Sequence, residues 1–135
     1  MMKRILYIAL AAAVLLGTSS CQMLAVKRAT NAVNGYMAAY DAMDYETAAS
    51  FCTEPMAALL LESAEGMDEI PQVIMEKMKE ASNETSFRIA SMCVNNERTE
   101  AVAEVLVKAP GLEKEVPKTL RLVFEGRTAL VYAVE

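Results

Sequence analysis

Any chemistry in this chain must come from a short roster, because it has three cysteines and no histidine. Without imidazole it lacks the commonest general acid–base group and the commonest metal ligand. The most conspicuous reactive group is Cys21, in the stretch LLGTSSCQ, where an apolar run gives way to small residues and then a thiol. Tyr36 and Tyr40 sit one helical turn apart, so their hydroxyls could orient a ligand or could simply be satisfied in a core. Glu104 is the one acid inside a central strand segment, and alternation points it outward with Lys108. Met75 and Met78 offer a soft patch, better read as core filling than as a copper site. Cys52 and Cys93 complete the set. The sequence contains no glycine-rich phosphate loop, no metal-spaced Cys/His group and no Ser/His/Asp group, so neither a cofactor nor a metal is expected.

The segment before Cys21 explains that thiol. Lys3 and Arg4 precede Ile5–Leu16, an apolar run too short for the ~20 residues of a bilayer-spanning helix. A basic head, a short apolar centre and a small-residue exit make a secretory signal. Its end, Thr18-Ser19-Ser20-Cys21, resembles the lipobox of bacterial lipoproteins, with Thr18 in place of the customary Leu. The resemblance implies cleavage before Cys21 and acylation of its thiol. Residues 1–20 are thus expected as a lipoprotein signal peptide, 21–27 as a lipidated N-terminus and short tether, and 28–135 as one α+β domain. The processed chain keeps 11 basic and 18 acidic residues, a net charge of −7. That balance repels nucleic acid and anionic headgroups, so the membrane partner is reached through lipid on Cys21. The following QMLAVKRATN has no acidic cluster of the kind that marks surface export, and Gln22 is not an inner-membrane-retaining Asp. The expected address is the cell envelope, at the outer membrane, facing the periplasm.

Periodicity divides the remainder. Ala29, Val33, Tyr36, Met37 and Tyr40 follow helical spacing over residues 25–42. Asp44 is a good N-cap for a short helix over 45–52, and Thr53 for another that carries Met56, Leu59, Leu60 and Ala64 to a stop at Gly66. Pro71 starts a last helix to about Ala81, with Ile70, Ile74, Met75 and Met78 inward. After Asn83 the period becomes 2. Phe87, Ile89 and Cys93 alternate against Arg88, Ala90 and Met92, and a turn follows at Asn95-Asn96. Three more strand patterns follow: residues 98–109, then KTLRLVFE with Leu120, Leu122 and Phe124 together, then TALVYAV after Glu125-Gly126. Helices followed by four antiparallel strands is an α+β pattern, with helices on one sheet face. Cys52 and Cys93 would then both reach the core. In an oxidising periplasm they are either two buried thiols or a disulfide, whose loop of about 40 residues would stabilise by roughly 4 kcal/mol.

The stretch NAVNGYMAAYDAMDYETAASFCTEPMAALL, with its Asp44-Tyr45-Glu46-Thr47-Ala48 segment, resembles the opening of small bacterial lipoproteins with a nuclear-transport-factor-2-like (cystatin-like) domain of unknown function. The close, LRLVFEGRTALVYAV, resembles their final hairpin, with Ala129 near the place of the customary Trp. The resemblance implies a curved four-stranded sheet wrapped around a long helix, a cone with an apolar interior. Candidate lining residues are Tyr36, Met37, Tyr40, Phe87, Ile89, Leu120, Leu122 and Phe124. Such a cone could hold a small apolar ligand or dock an envelope protein. The alternative is a small enzyme acting on a carbonyl-type substrate with pocket Tyr and Glu side chains. No inward strand position carries an acid, which favours the non-catalytic module.

Overall fold

In the computed structural model, residues 20–135 are described, so the expected signal segment lies outside them but for the backbone of Ser20. The order is α1 (Ser20–Asp41), α2 (Tyr45–Ala49), α3 (Glu54–Gly66), a 3-10 turn (Met67–Glu69), α4 (Gln72–Asn83), then β1 (Ser86–Val94), β2 (Glu100–Lys108), β3 (Val116–Glu125) and β4 (Thr128–Val134). The strands form one open antiparallel sheet in the order β1-β2-β3-β4. This is the α+β arrangement the change of period predicts.

The first helix starts earlier than its apolar spacing suggests. Residues 21–27, expected as a tether, are its first turns: Ala25 is buried, and Gln22 Nε2 donates to the Val94 carbonyl at 3.1 Å. Its inner face, through Ala29, Val33, Tyr36 and Met37, packs against the sheet. Gly35 admits a close neighbour, since a Cβ there would lie 2.3 Å from the Phe51 ring. Helix α2 is capped as its sequence predicts: Asp44 accepts from the Thr47 N–H at 3.2 Å and from its hydroxyl at 2.6 Å. Thr53 makes no side-chain cap, although Pro55 does sit in the first turn of α3. Its N–H instead donates to Val131 O, while Val131 N–H donates to Phe51 O, so Phe51–Thr53 runs along the outer edge of β4. Gly66 does not end its helix in a left-handed conformation. It stays helical at φ −63°, and the chain continues into the 3-10 turn.

The sheet's inner face carries Ala101, Ala103 and Val105 from β2, Leu120 and Leu122 from β3, and Ala129 and Val131 from β4, all buried. Glu104 sits between them on the outer face, as alternation predicts. Strand β1 departs from simple alternation. A bulge lies between Ile89 and Ser91, so Ile89 pairs with Val105 but Met92 pairs with Ala103 and Cys93 with Val102. One extra residue turns every later side chain to the other face. Phe87, Ile89, Met92 and Val94 therefore pack inward, and Cys93, expected inside, is exposed. A second shift between Arg121 and Leu122 does the same for the end of β4 and brings Val134 inward.

The turn after β1 is held by the Asn95 side chain, and its left-handed backbone falls at Arg98 and not at Asn95-Asn96. Asn95 Oδ1 accepts from the N–H groups of Thr99 and Glu100, at 2.8 and 3.0 Å. Arg98 takes the positive φ, 56°. Helix α4 is the other departure. None of its residues is buried, and Ile74 and Met78, expected inside, are 50% and 37% exposed.

Candidate functional site

The site grows out of the C-terminal end of α1. Beyond Val33 the same helical face continues through Met37 to Asp41, each four residues on, so a stripe that begins apolar ends in a carboxylate. On the sheet, Lys118 stands at the start of the inner row Lys118, Leu120, Leu122, Phe124. Together with α2, α3 and α4 these elements border a half-open cavity of about 640 Å³, within the range of small-molecule sites. Tyr36, Met37, Met56, Leu59, Leu60 and Met78 supply most of its wall, and Asp41 and Lys118 are its charged side chains. The polar hydroxyls of Ser63 and Thr85 are already committed, donating to Leu59 O at 3.1 Å and Ala81 O at 2.8 Å.

Three phenols run along this region. Tyr36 and Tyr40 stack at 5.8 Å, and Tyr40 meets Tyr45 in a tilted contact at 5.4 Å. Burial drives the Tyr36 phenol well above its ordinary value, with Cys52, Tyr40 and Tyr45 adding to the shift, so it stays protonated at neutral pH. Burial also raises Asp41 above the usual carboxylate range, and the positive charge of Lys118 only partly opposes this. The Asp41 Oδ2 atom is sealed from solvent with no hydrogen-bond partner. A carboxyl oxygen in that state is costly unless something donates to it.

Of the residues expected to line a pocket, Tyr36, Met37 and Tyr40 do so. Phe87 lines an adjoining cleft of about 350 Å³ together with Asp41. Leu120 and Leu122 are instead fully buried core, and Ile89 and Phe124 pack against that core. Strand alternation and inward acids alone single out neither Asp41, which lies on a helix, nor Lys118, which is basic. The signals that find them are continuations: Asp41 extends the Val33–Met37 stripe, and Lys118 extends the Leu122–Leu120 row.

The cysteines do not meet. Cys52 is buried beside β4, donates to the Ala48 carbonyl at 3.3 Å, and has its thiol pushed up by burial to about 11. Cys93 is exposed on β1, at the opposite edge of the sheet. Three inter-strand spacings of about 4.8 Å separate those edges, beyond the ~7 Å between Cα atoms that a disulfide spans. Of the two expected states, two buried thiols or a disulfide, the thiols are present but only Cys52 is buried, so the burial of Cys93 is corrected; all three thiols, exposed Cys21 included, are free of disulfides. Among the described residues no three metal-ligating side chains converge, and no helix is long and apolar enough to cross a membrane. No protein-family model, curated protein or solved structure matches this chain.

Proposed function

We propose that this chain is a lipid-anchored, non-catalytic binding module of the bacterial cell envelope, held at the periplasmic face of the outer membrane through acylated Cys21. In this reading its helices and sheet form a nuclear-transport-factor-2-like cone whose interior holds a small apolar ligand. The observation that carries it is the cavity of about 640 Å³, walled largely by Met, Leu and Tyr side chains and set between α1, α3, α4 and the sheet. A further support is the length of α1. Cys21 and Asp41 lie near its two ends, about 30 Å apart at 1.5 Å per residue, so the cavity stands off from the anchored end and receives its ligand from the periplasmic side. The catalytic alternative calls for pocket Tyr and Glu side chains, and no glutamate is among the residues lining this cavity.

Two measurements test the proposal. Radiolabelled palmitate enters the wild-type protein in a bacterial host and not the Cys21→Ser variant. Full retention of processed Cys21→Ser protein in the membrane sinks the anchor. Native mass spectrometry of protein extracted from its own host shows an added small-molecule mass, and an apolar fluorescent dye binds the purified protein. Ser63→Trp, which fills the cavity from an exposed helical position, abolishes both. A wild-type protein that carries no added mass and binds no dye ends the binding-module reading.

A further inference from the structure

Resting on the reading of Cys21 as the acylated anchor, we infer that the end of the domain carrying it is itself a contact surface for an anionic phospholipid bilayer, which seats the domain in one orientation. Lipid alone holds a domain near a membrane, and a flexible tether leaves its orientation free. From Cys21 onward this chain has no such tether. Helix α1 begins at Ser20, Ala25 in its second turn is buried, and Gln22 Nε2 donates to the Val94 carbonyl at the end of β1. The acylated residue is therefore one position from a side chain bonded to the sheet.

Three segments distant in sequence meet at this end. Helix α1 runs antiparallel to β1, since Gln22 meets Val94 while Asp41 lines a cleft with Ser86 and Phe87. The β1–β2 turn thus begins level with Gln22 and extends past it. The Phe124 N–H donates to Thr99 O at 2.9 Å, which sets the β3–β4 turn at Gly126-Arg127 beside the first. The start of the helix and two hairpin tips form one face.

The chemistry of this face fits headgroups. Met23 and Leu24 are 58% and 45% exposed, and they lie within about 5 Å of Cys21 along the helix axis, at the depth where apolar side chains enter the acyl boundary. Lys27 and Arg28 follow them one turn on, and exposed Arg98 and Arg127 occupy the two tips. None of these four cations enters a salt bridge among the described side chains, whose pairs are Arg88–Glu115 and Arg121–Glu135. Glu97, Glu100 and Glu125 are the acids of the same segments. Of the 11 basic and 18 acidic residues of the processed chain, seven basic and fifteen acidic are left for the rest of the domain. The net charge thus hides a polarity: the face bearing Cys21 is slightly positive, and everything behind it is strongly negative. An anionic surface attracts the one and repels the other. Both effects turn the Cys21 face toward the bilayer.

The chain has no tryptophan, so one introduced indole reports on a single place. The acylated protein is reconstituted in phosphatidylcholine vesicles with about one-third phosphatidylglycerol and acyl chains brominated close to the headgroup. Two variants are compared, Asn96→Trp at the exposed β1–β2 tip and Leu61→Trp on the exposed side of α3. Asn96→Trp is expected to be quenched about threefold or more as strongly as Leu61→Trp. Adding Arg98→Glu and Arg127→Glu is expected to lower that quenching about twofold, as is about 0.5 M salt, which screens exposed charges. If far-UV circular dichroism shows that Asn96→Trp does not fold, Glu125→Trp at the other tip takes its place with the same expectation. Equal quenching of the two variants, stronger quenching of Leu61→Trp, or indifference to charge reversal overturns the seated orientation, while flotation with the vesicles leaves the anchor standing. Protein that does not float with the vesicles removes the anchor reading and this one with it.

Discussion

The same helix and the same strand build two different interiors. At one end, Ala29 and Val33 of α1 and Leu120 and Leu122 of β3 share one core with no accessible surface left. At the other, Met37 and Asp41 of α1 and Lys118 of β3 border a cavity. What differs is the third layer. The closed end is sealed by α2 and by Phe51–Thr53, which lie on α1 and bond along β4. The open end is bordered by α3 and by α4, and α4 buries none of its residues. A protein interior becomes a site where one element fails to close it, and polar groups tolerated there would be ruinous a few ångströms deeper.

Substitutions at the two ends should therefore differ most. Leu120→Ala removes a side chain with no exposure and is expected to cost about 3 kcal/mol in urea unfolding. Met78→Ala, on the open side and 37% exposed, is expected to cost under about 1 kcal/mol. Equal losses would erase the distinction between sealed and open interior.

Gly35→Ala probes the seal itself. Its new methyl would sit 2.3 Å from the Phe51 ring, so the ring must move, at an expected 1–3 kcal/mol by the usual magnitude for overpacking, roughly. Adding Phe51→Leu should recover part of that loss, and a double-mutant cycle reads the coupling. Strict additivity of the two changes would show that Phe51 does not pack on Gly35.

A smaller and opposite effect is expected at the open end. Asp41 has a raised folded pKa because burial disfavours its charge. The folded state thus holds the proton more tightly than the unfolded state, and stability declines as pH climbs from the ordinary carboxylate value to the raised one. Asp41→Asn is expected to gain less than about 1 kcal/mol at pH 7, since the group is only partly buried. The gain should disappear in acid, below the ordinary carboxylate range. Chemical denaturation across pH checks the sign, and a loss of stability at pH 7 would contradict it.

The smallest change concerns the edges of the sheet. Cys93→Ser should leave stability within about 0.5 kcal/mol. Iodoacetamide should label exposed Cys93 in the native protein, and buried Cys52 only after unfolding, without reductant in either case. Native labelling of Cys52 at the rate of Cys93 would mean that the closed end opens readily.

Much of this architecture is legible in the chain. The stripe Ala29-Val33-Tyr36-Met37 gives the long helix, Asp44 gives the start of the next, and the alternating runs with Asn95 and Gly126 at their turns give the hairpins. These features depend on neighbours within a few residues, whose backbone geometry and hydrogen bonding follow from residue type. The lining by Tyr36, Met37 and Tyr40 is legible for the same reason.

Other features arise only from partners distant in the chain. The bulge after Ile89 depends on how β1 registers with β2, and no local pattern in Phe87–Val94 marks it, so the facing of Met92 and Cys93 was beyond periodicity. Helix α4 stays peripheral while α1 packs on β1 and β4, although Ile74 and Met78 have the spacing of an inner face. Asp41 and Lys118 belong to a helix end and a strand start that only the assembled layers bring to one cavity. Sequence fixes what each segment can bury, because side-chain direction follows from the backbone period. Which of those surfaces is finally covered, and which is left bordering a pocket, is decided by long-range packing of the layers.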